Sequence, residues 1–250
     1  MIASLILAVR FLTIVPVPGR EAEGREALGQ AGWWFPAVGL ALGVVLVALD
    51  RVLALAFSPL LSALLVLSVW KVATGGLHLD GLADCLDGLG GGDRQRRLAI
   101  MRDSRIGAFG AIGLILYFLI AVFALAEMPF GPRAGFLLLA PTTGRLAPLL
   151  IGPRFGAARP EAGSGSEFLA AVSTWAGPVN LIAALVLAAW LLGVWGPVAT
   201  LASLLTVFAW SAFLASRFGG LTGDALGSGV EIGELAVLLI GAALAHRGVV

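Results

Sequence analysis

Three aspartates, Asp80, Asp84 and Asp87, stand at i, i+4 and i+7 in the stretch GGLHLDGLADCLDGLGGGDRQRR, residues 75–97. On a helix this spacing puts all three carboxylates on one face. Packed that way they repel one another, and beside an oily segment they need a cation to neutralise them. No His or Cys cluster accompanies them, so the donor set favours a hard divalent ion. Mg²⁺ suits it best, because Mg²⁺ is commonly shared between carboxylates and substrate phosphates. A second stretch, GGLTGDALGSGVEIGEL at residues 219–235, carries Asp224, Glu231 and Glu234 at helical spacing and is expected to complete the same site from another helix. With Asp93 and Asp103, these two regions hold eight of the 15 acids in a chain of 250 residues, a concentration that chance scatter does not give.

The neighbours of the acids fit a phosphorylated substrate. Arg102 and Arg105 flank Asp103 in MRDSRIG, and guanidinium groups bind phosphate bidentately while staying charged. Glycines crowd both acidic stretches and let backbone approach a phosphate or a second helix closely; Gly220, Thr222 and Gly223 are the candidates for substrate contact in the second stretch. Arg145 lies inside an apolar segment, where an ionisable side chain points to function, snorkelling to the interface being the competing account. His78, two residues before Asp80, is a candidate general base or a support for one, against the plainer reading of an interfacial histidine. Lys71 reads as a snorkelling lysine, Cys85 as a small buried thiol, and Trp33, Trp34, Trp70, Trp175, Trp195 and Trp210 as an aromatic belt. The plain reading of the acids themselves is a set of solvated helix ends, and of the basic loop, contact with anionic headgroups.

These residues must be positioned by membrane helices. Apolar residues make up 59% of the chain and charged ones 12%, with a mean hydropathy of +1.00, against about 45–50% and about 25% in soluble domains. The fold class expected is all-α: one polytopic, membrane-embedded catalytic domain over residues 1–250, with about six to seven transmembrane helices. Clear spans begin near Trp33, near Leu60 and at Gly107, and the charge-free run from Phe168 to Ser216 is long enough for two crossings with a turn at Gly193–Val198. AGFLLLAPTTGRLAPLLIG, broken by prolines, and IGELAVLLIGAALA are weaker candidates. The N-terminal MIASLILAVRFL is short and amphipathic enough to lie at the interface, and reads as a retained segment instead of a signal peptide. Arg94, Arg96, Arg97, Arg102 and Arg105 share one loop, which places it in the cytoplasm; the loops at Arg20/Arg25 and Arg154/Arg159 and the segment at Arg217 then fall on the same side. The single cysteine excludes an intramolecular disulfide.

Taken together, GGLHLDGLADCLDG, MRDSRIGAFG and GGLTGDALGSGVEIGEL resemble the signature set of the cobalamin synthases, the adenosylcobinamide-GDP ribazoletransferases; FLTIVPVPGR and GWWFPAVGLALG resemble that family's opening. In that opening Ile14-Val15 stand where the family usually has a basic residue before its PVP. The resemblance implies a Mg²⁺-dependent enzyme of the cell inner (cytoplasmic) membrane. It would transfer adenosylcobinamide phosphate from its GDP-activated form to α-ribazole or α-ribazole 5′-phosphate and release GMP. It also implies a metal and diphosphate site on Asp80, Asp84 and Asp87, with Asp103, Asp224, Glu231 and Glu234 completing the acidic site. The bilayer is the expected surrounding; nucleic acid is not an expected partner, and self-association is left open. Two other classes are weighed. A CDP-alcohol-type phospholipid synthase also sets spaced aspartates at a helix end, yet its D-G-x-x-A-R opening is absent, since Ala83 is followed by Asp84. A cation or metabolite transporter typically shows repeats and midplane charges, whereas no repeat is apparent here.

Overall fold

The computed structural model describes residues 1–24, 26–158 and 163–250; Arg25 and Arg159, both assigned above to cytoplasmic loops, lie outside the described residues. Among those described there are twelve helices and no strand, only an isolated bridge between Ala157 and Leu221. Five helices are long and apolar enough to cross a bilayer: α3 (Phe35–Leu53), α7 (Ala108–Glu127), α8 (Phe130–Phe155), α11 (Trp195–Phe218) and α12 (Gly223–His246). Two further pairs qualify only jointly. The helix α4 (Pro59–Ala73) meets α5 (Leu77–Leu89) at 91°, and α9 (Ser164–Ala171) meets α10 (Ala176–Leu192) at 93°, which brings the total to as many as seven crossings. The remainder are short: α1 (Ile2–Leu12), α2 (Ala27–Gly32) and α6 (Arg94–Ile100). At about 1.5 Å per residue, the 11 residues of α1 cannot cross a bilayer, as its interfacial reading anticipated.

The weak proline-broken candidate turns out to be the centre of the molecule. α8 runs unbroken for 26 residues with Pro141, Pro148 and Pro153 inside it, and it packs against α3, α10, α11 and α12. A proline withholds the N–H that the carbonyl four residues earlier would accept, and in a membrane that carbonyl needs another partner. Neighbouring glycines move in at these points. A Cβ on Gly43 of α3 would lie 2.9 Å from the Leu137 carbonyl oxygen, freed by Pro141, and one on Gly177 of α10 would lie 2.8 Å from that of Leu149, freed by Pro153. Glycine therefore brings backbone Cα–H groups against the freed carbonyls. The outer helices keep apolar residues outward, among them Ile112, Ile115, Leu119 and Phe123 on α7, which are exposed in the isolated chain. Such a face is stable only against lipid.

The elbow between α4 and α5 sets the direction of the aspartate face. Gly75 and Gly76 adopt φ of +63° and +68°, a region that a side chain would strain. The Lys71 carbonyl closes the end of α4 by accepting from Gly76 N (3.0 Å) and Thr74 Oγ1 (3.1 Å). Ile14, following α1, ties the N-terminal segment to the same corner through a 2.9 Å bond from its N–H to the Ala73 carbonyl. The helix carrying the aspartates is thus a new element turned across the end of the bundle.

Candidate active site

On α5 the three aspartates do share a face, but they do different things. Asp80 is exposed and Asp84 half-buried, and both line a cleft of 690 Å³. Asp87 points to the neighbouring helix: its two carboxylate oxygens accept from Gly107 N (2.7 Å) and Gly110 N (2.8 Å) and so cap the N-terminus of α7. α5 and α12 touch where Gly81 meets Asp224; a Cβ on Gly81 would lie 2.7 Å from the Asp224 carbonyl oxygen. That contact sets Asp224, in the first turn of α12, beside the aspartate face, and Asp80, Asp224 and Asp87 all bear electrostatically on Asp84. Thr222 caps α12 by accepting from Ala225 N (3.1 Å), which fixes where Asp224 starts.

The far wall of the cleft is the loop after α6. Arg102, Asp103 and Arg105 line it together with Ile14, Thr74 and the elbow glycines. Arg105 donates to Asp103 through Nε (2.9 Å) and Nη2 (2.6 Å), and this exposed guanidinium holds the Asp103 carboxyl down at about 2. Asp103 is therefore the partner that orients Arg105. Asp93 caps α6 by accepting from Arg96 N (2.9 Å). Arg94 reaches across to the Phe218 and Ala158 carbonyls at 2.7 and 2.9 Å, and Gly220, with φ of +131°, packs against Ala158. The basic loop and the start of α12 accordingly meet at one end of the bundle, as the arginine pattern required. Gly223 sits against Gly165 of α9 beside a smaller pocket, described below.

Glu231 and Glu234 are a correction to the sequence reading. Both are buried, two and three turns deeper along α12 than Asp224, and both accept from Lys71 Nζ, at 2.5 and 2.6 Å. Arg145 pairs with Glu234 from α8. The four charges cancel inside the bundle, so the glutamates neutralise Lys71 and Arg145 and do not reach the aspartate cleft. Lys71 itself is no snorkelling lysine: it is 4% exposed, and its ammonium lies over the rings of Trp70 (4.6 Å) and Tyr117 (5.1 Å). Trp70 is wholly buried and so leaves the expected aromatic belt. The sequence signal was present but unread: two glutamates and two cations inside apolar runs must find one another, because lipid offers them nothing else. A second buried pair, Asp50 with Arg133 at 2.5 Å, follows the same rule. His78, 5% exposed, faces away from the large cleft and lines the smaller pocket.

Comparison with known proteins decides among the three readings of this site. The family model for cobalamin-5-phosphate synthase matches residues 4–242. The chain belongs to that family. Curated adenosylcobinamide-GDP ribazoletransferases are similar over almost their whole length. The protein of Pseudomonas paraeruginosa is 43% identical over 94% of this chain and 96% of its own. That of Brevibacillus brevis is 36% identical over 93% and 95%, and that of Geotalea daltonii 36% over 99% and 100%. No solved structure matches. Neither the phospholipid-synthase nor the transporter reading finds support in these matches. In this family member the aspartates of α5, the arginines after α6 and the start of α12 share one end of a multi-pass membrane bundle.

Proposed function

We propose that this chain is a transferase that joins adenosylcobinamide-GDP to α-ribazole, or to its 5′-phosphate, and releases GMP at the cytoplasmic face of the cell membrane. The observation that carries the reading is the cleft in which Asp80 and Asp84, with Asp224 beside them, oppose Arg102 and Arg105. Among the described residues no three Asp, Glu, His or Cys side chains form a ready cage for an ion. An oxygen-only set of two or three carboxylates suits Mg²⁺, which leaves most of its coordination to water and substrate phosphate. Asp80, Asp84 and Asp224 are the residues that would hold it, and the ion would supply neutralisation of the diphosphate charge. Asp87, occupied with the N-terminus of α7, positions α5.

The chain's own groups account for the rest. Arg102 and Arg105 bind the GMP phosphate that leaves, with Arg105 held in place by Asp103. A ribose hydroxyl oxygen of the ribazole forms the new bond to the corrinoid-linked phosphorus while the bond from that phosphorus to the GMP oxygen breaks. The hydroxyl proton passes to a carboxylate of the cluster. Purified full-length protein in lipid nanodiscs, given both substrates and Mg²⁺, is expected to release GMP in equal measure with the joined product. EDTA is expected to abolish that release and excess Mg²⁺ to restore it. GMP release that EDTA leaves untouched would remove the metal from the reading, and no release under any condition would remove the activity.

A further inference from the structure

Beside the aspartate cleft lies a second pocket of 120 Å³, walled mainly by apolar side chains. Three rings from three different helices line it in a stack: Phe11 of α1 lies 5.9 Å from Phe35 of α3, tilted by 11°, and Phe35 lies 5.5 Å from Phe168 of α9, tilted by 7°. Two buried polar groups line it as well. His78 leaves its Nδ1, and Arg145 its Nε, with no hydrogen-bond partner among the described residues. A buried polar atom left without a partner is costly, so two such atoms in one pocket wall can take their missing bonds from a ligand. Asp224 stands at the rim, and the pocket shares Phe11 and Leu77 with the large cleft, so the two are neighbouring chambers of one site.

We infer that this pocket receives the flat aromatic base of the nucleoside acceptor, an inference that rests on the transferase reading above. Its 120 Å³ is a little less than the roughly 150 Å³ apolar cavity that takes up one benzene molecule, so it holds one ring of a flat base. One ring of a fused, uncharged benzimidazole base enters such a slot edge-first, with the remainder at the mouth beside the large cleft, whereas a corrin macrocycle or a diphosphate does not fit it. Parallel phenylalanines offer the base an offset stacking surface, and His78, as the Nδ1–H tautomer, donates to the unsubstituted ring nitrogen. With the base seated, the ribose emerges past Asp224 toward Asp84, which delivers a hydroxyl to the diphosphate chamber. His78 thereby acts on the base of the acceptor and has no part in proton transfer from the hydroxyl.

Phe168→Ala, which removes one ring of the stack, tests the assignment in the full-length protein. The KM for α-ribazole is expected to rise about tenfold, within the range by which apolar pockets discriminate small changes of fit. The KM for adenosylcobinamide-GDP is expected to stay within about twofold of wild type. The variant should also gain relative turnover of a riboside with a three-ring base, a gain that a merely damaged fold cannot produce. An active variant whose base preference is unchanged, or whose KM rises only for the GDP-linked substrate, overturns the inference. A measurement on the wild type needs no variant: an azido-benzimidazole riboside, photolysed on the enzyme, is expected to label Phe11, Phe35 or Phe168. Labelling confined to the loop of Arg102–Arg105 contradicts the pocket. Wild-type protein that labels but releases no GMP defeats the transferase reading and leaves the base pocket standing.

Discussion

Asp87, Asp103, Glu231 and Glu234 reach their roles through their immediate partners, and spacing alone did not reveal those partners. The i, i+4, i+7 pattern correctly put Asp80, Asp84 and Asp87 on one helix face, yet only the arrival of α7 makes Asp87 a capping residue. We expect Asp87→Ala to cost about 0.5–2 kcal/mol, the usual loss for a helix cap, and Asp87→Asn to recover part of it. Thermal melts in detergent read this directly, and an Asp87→Ala melt equal to wild type would place the carboxylate elsewhere. Lys71 carries a larger effect. Removing its ammonium leaves Glu231 and Glu234 buried with Arg145 as the one cation paired with them among the described residues, and breaking a buried pair typically costs about 3–5 kcal/mol. Lys71→Met is expected to fold poorly, and Lys71→Met combined with Glu231→Gln to fold better than Lys71→Met alone. Equal losses in the two would show that the ion pair does not hold α4 to α12.

At the scale of elements, the sequence announced helices and apolar spans but not their angles. A run such as LLSALLVLSVWKVATGG reads as one span; the 91° elbow that follows depends on Gly75 and Gly76 taking a left-handed conformation, which glycine permits but does not compel. The α8 segment failed in the opposite sense, because three prolines argue against a helix on propensity while glycines of α3 and α10 close in on two of the carbonyls they free. The close approach of α3 to α8 makes a sharp prediction. A Cβ on Gly39 would stand 2.3 Å from the Pro141 carbonyl oxygen, backbone that cannot swing aside. Gly39→Ala is expected to lower the melting temperature by several degrees, as about 1–3 kcal/mol of overpacking would. Gly131→Ala, with nothing within 4 Å, is expected to be neutral. Equal melts for the two would mean that α3 and α8 are not in contact as described.

For the whole molecule, composition alone was enough to indicate a membrane protein, and the arginine loop lies at the end that carries the aspartate cleft. The buried ion network and the two-chamber site were not legible, since both arise from helices distant in sequence meeting in space. The orientation itself is a proposal with a direct check: Ser104 and Ser216 are both exposed and belong to the end that carries the cleft. Cysteines introduced as Ser104→Cys and Ser216→Cys are expected to react from the cytoplasmic side alone in sealed inverted vesicles. The buried Cys85 stays silent. Opposite accessibility of the two would contradict the arrangement.

The central claim is that Asp80 and Asp84 act together on one diphosphate-bound metal centre, and the rate of GMP release by Asp80→Asn, Asp84→Asn and the double variant, followed against Mg²⁺ concentration, tests it most directly. Residues that serve one centre are strongly non-additive. The expected result is that each single variant loses at least about a hundredfold in kcat, with its Mg²⁺ requirement shifted upward, and that the double variant is little worse than either alone. Losses that simply multiply, or single variants that keep wild-type rates and an unchanged Mg²⁺ curve, would contradict it.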